Sequence, residues 1–264
     1  MDHDHHDAPH GPAPYAPPEN PCTGCELRTQ TLADGRCAPG DACLFVDSGR
    51  QIDRFLQRNR EWAEHCLHDP FWERRAIGVK WALVEAVGAL IDDPDEVVRR
   101  AVAARVGPAL LARLVRDPDR EVRITVANRL PPEALARMQH DVDYAVRLQV
   151  ARRLPHGRLP HMAGDPDREV RKEVARRLPA FALGRMVRDT DPEVRAIAAA
   201  RMLPDDAARL LADPEWTVRL AAAAQAPLEA LAPLLADPEA DVRERVRERL
   251  AGEAAPSVLH PPES

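Results

Sequence analysis

From residue 69 to residue 260 the pattern of apolar and polar positions returns every 24 residues. In DPDREVRITVANRLPPEALARMQH, residues 117–140, Val122, Val126 and Leu130 fall at i, i+4 and i+8, the spacing of one helix face. Pro131 and Pro132 stop that helix, and Leu135 and Met138 follow three residues apart. The same frame reads through 93–116, 141–164, 165–188, 189–212 and 213–236, with more divergent units at 69–92 and 237–260. Eight units stay in register without an insertion. Asp opens each of them, from Asp69 and Asp93 to Asp237, and Arg stands seventh, from Arg75 and Arg99 to Arg243.

The length of the unit selects the architecture. Two full helices per repeat need roughly 33 to 47 residues. A shorter unit has room for one helix of about 13 residues and a second short one, whose three-residue apolar spacing suits a 3₁₀ helix. Such a unit buries its apolar face only against its neighbours. The expected fold is therefore an all-α solenoid of eight repeats.

Each polar column has a structural expectation. Asp117 is placed to cap the helix, Pro118 suits its first turn, and Asp119 and Glu121 complement the positive end of its dipole. The seventh-position Arg is expected to reach an Asp or free carbonyls of an adjacent unit and form a ladder. A second column, Arg105, Arg129, Arg153, Arg177, Arg201 and Arg249, reads as a solvated face or, more sharply, a positive strip for an acidic partner. The eighth position mixes Arg100, Ile124, Lys172 and Glu244 and reads as a surface column where partner contacts are written.

Ahead of the repeats the pattern changes. Ile52, Phe55, Leu56, Trp62, Ala63 and Cys66 recur at three- and four-residue steps, one face of a helix with Ser48 as its candidate cap. Residues 21–47 carry turn signals and no periodicity, so this segment needs a staple to become ordered. Residues 1–20 are rich in Pro, His and Asp and are expected to be disordered. His3, His5, His6 and His10 are candidates for loose metal binding there, or an incidental polar tail. The expected organisation is a tail over 1–20, a cysteine-rich domain over 21–68, repeats over 69–260 and a short tail over 261–264.

Composition narrows the function classes. The chain is 45% hydrophobic and 30% charged, as a folded protein requires, but only 4% aromatic, so aliphatic side chains must build its core. Lys80 and Lys172 are its only lysines, and the net charge of −6 gives no whole-molecule footprint for nucleic acid. No stretch has the length of apolar sequence that a membrane span needs, and the N-terminus lacks a secretory h-region. The expected location is the cytoplasm, where reducing conditions favour metal-bound or catalytic thiols over disulfides.

The chemistry-bearing motif is PCTGCELRTQTLADGRCAPGDACLF, residues 21–45. Cys22, Cys25, Cys37 and Cys43 form C-x2-C-x11-C-x5-C, with Gly24 easing the turn inside the first pair. Four thiols match an iron–sulfur cluster or an all-thiolate zinc site. The wide second pair departs from a zinc ribbon and tilts the reading towards iron–sulfur, with zinc and unligated thiols left open. Arg28 and Arg36 stand nearby to offset cluster charge. Cys66 lies on the apolar face of its helix and reads as a core residue or a substitute ligand. His140, His156 and His161 occupy unrelated repeat positions and read as surface residues.

The repeat wording DP-x-x-x-VR-x-x-VA-x-RLPPEALARM behind a cysteine-rich N-terminus resembles the leucine-rich repeat variant family of bacterial 4Fe–4S-binding repeat proteins. The resemblance covers about residues 22–260. It implies units of one α-helix and one 3₁₀ helix in a right-handed superhelix. It also implies a [4Fe–4S] cluster on Cys22, Cys25, Cys37 and Cys43, an association with nitrogen fixation and no enzymatic activity. The functional expectation is a redox or iron–sulfur-sensing adaptor whose repeats bind a protein partner, with neither nucleic acid, membrane nor small-molecule substrate. A zinc-stabilised scaffold without redox chemistry is the alternative. The wording is also similar to short HEAT-like repeats, some of which belong to enzymes or DNA-binding proteins. The shorter period and the lack of any catalytic set outside the repeat columns weigh against that class.

Overall fold

The computed structural model describes residues 22–253. The histidine-bearing stretch 1–20 and the tail 261–264 lie outside the described residues. The chain divides after Leu130 into two compact units.

The first unit holds the cysteine segment and helices Gly49–Arg58 (α1), Ala63–Cys66 (α2) and Trp72–Trp81 (α3). Repeat helices Glu96–Ala103 and Arg120–Arg129 follow. Both α1 and α2 pack on α3, α3 packs on Glu96–Ala103, and that helix packs on Arg120–Arg129. In the second unit the helices Tyr144–Arg153, Arg168–Arg177, Pro192–Ala199, Trp216–Gln225 and Ala240–Glu253 stack in order, each on the next. Between them run 3₁₀ segments such as Leu159–Met162 and Ala180–Met186. One link, Pro204–Ala208, is a turn of α-helix instead. Among the described residues there is no strand, and the single bridge pairs Ala38 with Ala42. The protein is an all-α solenoid.

The core is the predicted one. Val122, Val126, Leu130, Leu135 and Met138 are all buried, and the equivalent Val146, Val150, Leu154, Leu159 and Met162 repeat the arrangement. Each such side chain contributes about 1.5–3 kcal/mol of transfer free energy when fully buried.

The polar columns work differently from the expectation in two respects. The helix does not start at the first-position Asp. Asp117 instead accepts the backbone N–H of Asp119, and the first-position Asp in every repeat accepts the N–H two residues on. The cap is the third residue: Asp119 accepts from the Val122 N–H, Asp95 from Val97 and Val98, and Asp167 from Glu169. The helix is therefore shorter than expected, ten residues over Arg120–Arg129, because a turn occupies the start of the unit.

The first-position Asp is then free to receive the ladder. In the first unit Arg75 forks onto Asp93 and Arg99 onto Asp117; in the second, Arg147 meets Asp165, Arg171 meets Asp189 and Arg195 meets Asp213. Each Arg also donates to the carbonyl of its own unit's first Asp, as Arg99 does to Asp93 O at 2.8 Å. The second Arg column is not a free positive strip. Arg129 donates to Val106 O, Arg177 to Ala151 O, and Arg201 to Ala175 O and Leu178 O. Ala151 and Ala175 carry carbonyls of the last turn of the preceding helix, which have no intrahelical donor; Leu178 and Val106 lie just beyond such an end. In the variable eighth column Arg100 and Glu244 are exposed, whereas Lys172 is covered by ion pairs to Glu169 and Glu193. His140, His156 and His161 are exposed.

The helix expected across Ile52 to Cys66 is broken. Ile52, Phe55, Leu56, Ala63 and Cys66 are buried as the periodicity requires, but α1 ends at Asn59 and a 3₁₀ turn, Arg60–Trp62, leads into α2. Asn59 is buried and leaves helical geometry at φ −137°. Its side-chain amide donates to Phe55 O at 2.9 Å and to Arg36 O at 3.0 Å, so the break ties the cysteine segment to the helix. Ser48 stands at the cap of α1 with extended backbone but makes no side-chain cap hydrogen bond.

Candidate metal centre

Residues 22–48 fold as a chain of turns around a short π-helical turn, Arg28–Leu32. Gly24, between Cys22 and Cys25, has φ +73°, and Gly40, before Cys43, has φ +82°. Side-chain-bearing residues rarely adopt such angles, so both bends depend on glycine. Gly40 closes a loop in which Ala38 and Ala42 exchange backbone hydrogen bonds at 2.9 and 2.7 Å. Cys37 N–H donates to Thr31 O and Cys43 N–H to Gln51 O, which anchors one cysteine to the π turn and the other to α1.

The structure brings Cys37 and Cys43 within electrostatic reach of each other and of Cys22 and Cys25. Burial pushes the Cys37 thiol up, the neighbouring Cys22 and Cys25 thiols add to the rise, and the Thr31 hydroxyl offsets part of it. Burial also raises Cys43, the Phe45 backbone N–H opposes it, and Cys37, Cys22 and Cys25 raise it further. Like charges disfavour simultaneous ionisation, so four thiolates gathered here require a cation among them. All five cysteines are free thiols. Among the described residues no three His, Cys, Asp or Glu side chains converge at single-ion distance. The donor set itself is soft sulfur, four thiols with backbone and hydroxyl donors beside two of them, which suits thiolate-ligated iron or zinc.

Cys66 stands apart. Burial, followed by the Asp69 carboxylate, pushes its thiol up to about 12, against a lowering from Arg74, and no cysteine acts on it. Its Sγ donates to Trp62 O at 3.4 Å, and its Cβ fills the space above Gly78. Arg28 is exposed, and Arg36 is paired with Glu61 and Asp34.

The segment is held by residues that the repeat columns hide. Arg74 donates from Nε to Leu44 O at 2.8 Å, beside Cys43, and from Nη1 to both oxygens of Asp69. Arg54 pairs with Asp41, and Lys80 and Trp81 both donate to Asp53. One signal pointed to Arg74: it sits in the repeat position filled by valine from Val98 onward.

Residues 19–65 match the family described as "LRV protein FeS4 cluster". Residues 120–143, 144–167, 168–191 and 216–239 match "Leucine rich repeat variant". A solved structure described as "a leucine-rich repeat variant with a novel repetitive protein structural motif" is 54% identical, covers 86% of this chain and 97% of its own, and superposes with a TM-score of 0.82. An engineered protein at 15% identity covers 80% of this chain and 87% of its own, with a TM-score of 0.39. A condensin subcomplex from S. pombe at 21% identity covers 80% of this chain and 30% of its own, with a TM-score of 0.34. At those scores neither bears on the role of this chain. No curated protein matches. Among the described residues no helix is long and apolar enough to cross a membrane.

Proposed function

Because the chain belongs to the leucine-rich repeat variant family, we propose that it is an iron–sulfur protein whose repeats serve as a docking surface for a protein partner. Cys22, Cys25, Cys37 and Cys43 are the ligands in this reading, and the cluster is [4Fe–4S]. The observation that carries it is the charge interaction of Cys22 and Cys25 with Cys37, and of all three with Cys43, inside the segment that matches the FeS4 family. A bound cluster supplies one-electron chemistry and sensitivity to oxygen. The chain's own groups orient the ligands: the Gly24 and Gly40 bends present two of them, and the Phe45 N–H and Thr31 hydroxyl favour the thiolate forms of Cys43 and Cys37. Cys66 is a packing residue, because a buried thiol beside a carboxylate stays protonated at neutral pH. The protein acts as a redox or iron–sulfur-sensing accessory factor without catalytic activity of its own, in the setting of nitrogen fixation that the family resemblance implies.

Anaerobic purification followed by iron and acid-labile sulfide analysis and electron paramagnetic resonance tests the assignment. About four irons and four sulfides per chain are expected. Cys22→Ser, Cys25→Ser, Cys37→Ser or Cys43→Ser each lowers that occupancy, whereas Cys66→Ser leaves it in place. Stoichiometric zinc with neither iron nor sulfide refutes the proposal and leaves a zinc-stabilised scaffold.

A further inference from the structure

Arg74 occupies the sixth position of its repeat, where the others, from Val98 and Val122 to Val242, place a fully buried valine. A charged side chain in such a column is costly unless it is paired and fully hydrogen-bonded. Arg74 is only 3% exposed, so it has not been expelled to solvent. Instead its guanidinium lies over the rings of Phe45 and Phe71, at 5.9 and 5.3 Å from their centroids. Nε donates to Leu44 O at 2.8 Å, Nη1 donates to the Asp69 oxygens at 2.9 and 3.0 Å, and Asp47 stands 3.9 Å away. The reason for the exchange lies in what this helix meets. Elsewhere the valine packs within the repeats; in the first repeat the same position faces the cysteine segment, whose backbone carbonyl needs a buried donor.

The geometry points to Arg74 as a latch that fixes the Cys43 limb of the cysteine segment to the first repeat, so that retention of the cluster depends on a residue of the repeat array. This rests on the cluster reading above. Leu44 and Phe45, the two residues that Arg74 grips, directly follow Cys43 in the chain, and the Phe45 N–H faces the Cys43 sulfur. Hydrogen bonds to ligand sulfurs tune a bound cluster. Arg74 touches no sulfur itself; it is a positioning residue acting through Leu44 and Phe45. Its planar fork, lying over two rings while donating from Nε and Nη1, is a geometry that lysine does not reproduce.

The test uses the full chain as wild type, Arg74→Lys, Arg74→Met and Phe45→Leu, each iron-free and after anaerobic reconstitution. Arg74→Lys keeps the charge, and Arg74→Met keeps apolar bulk. Phe45→Leu leaves every Arg74 hydrogen bond and removes one ring, so it decides the matter if an Arg74 variant fails to fold. In both Arg74 variants amide exchange over residues 41–47 is expected to rise about tenfold, with a smaller rise in Phe45→Leu, while helix Arg168–Arg177 exchanges as in wild type. Iron release to a chelator accelerates by a similar factor. Exchange over 41–47 and iron release that both match wild type overturn the latch. A wild-type chain that takes up neither iron nor sulfide sinks the cluster reading, and exchange in the iron-free variants then decides separately whether Arg74 holds this limb.

Discussion

Arg219 donates from Nε and Nη2 to the two oxygens of Asp237 at 2.7 and 2.9 Å, and from Nη1 to Asp213 O at 2.9 Å. The Asp237 side chain is 2% exposed. A buried ion pair of this kind adds little net stability over an apolar pair, but removing one partner strands the other. Asp237→Ala should therefore cost about 3 kcal/mol, read as faster amide exchange across Trp216–Gln225. The same pair fixes an acid limit. The Arg219 hydrogen bond holds the Asp237 carboxyl below the usual carboxylate range. A depressed folded pKa gives stability that is fully present above the unfolded value of about 3.9 and is lost as pH falls through the folded value. Acid titration of wild type should show that loss below about pH 4, and Asp237→Ala should show less of it. An identical acid profile in the two would contradict the role given to the pair.

At the scale of the element, α2 and α3 approach closely at Gly78. A Cβ built on Gly78 of α3 would lie 2.8 Å from Cys66 Cβ and 3.0 Å from Ala63 O, both on α2. The backbone oxygen cannot step aside, so Gly78→Ala should destabilise the α2–α3 contact by about 1–3 kcal/mol. Thermal denaturation followed at the tryptophan emission of Trp62, Trp72 and Trp81 measures this, and an unchanged midpoint would mean that the helices slide apart without cost. Such contacts mark the limit of what the sequence shows. The repeat helices were legible because each buries the same columns, Val122 with Val126 and Val146 with Val150, so pattern and packing carry the same information. The cap lies two residues past the expected Asp117, at Asp119, because the Asp117 carboxylate takes the Asp119 N–H and the Arg99 fork instead. The break at Asn59 was hidden, since its reason is the Arg36 carbonyl 23 residues away. The four cysteines are legible as a motif, while Arg74 departs from the valine column in sequence without showing that it holds their segment, because its partner Leu44 O is a backbone atom 30 residues away.

Across the whole molecule two columns of arginines act as fasteners within the repeats. One column joins carboxylates between repeats, and the other donates to backbone carbonyls at the ends of the preceding helices. Order is thereby supplied locally, repeat by repeat, and does not depend on the cysteine segment. That segment contributes a single five-residue helical turn, Arg28–Leu32, and all other described helices begin at Gly49 or later. It touches the first repeat through Arg74, while Lys80 and Trp81 donate to Asp53 of α1, the helix that follows it. Stripping iron anaerobically from the loaded protein should therefore separate two signals. The far-ultraviolet helical signal should fall by less than about a tenth, because stacked repeats depend on their neighbours. Tryptophan emission should change, because loss of a metal staple loosens the segment that Arg36 ties to Asn59 and Glu61, beside Trp62. A collapse of the helical signal on iron removal would show that the repeats draw their order from the cluster, and the independence argued from the Arg–Asp ladder would be wrong.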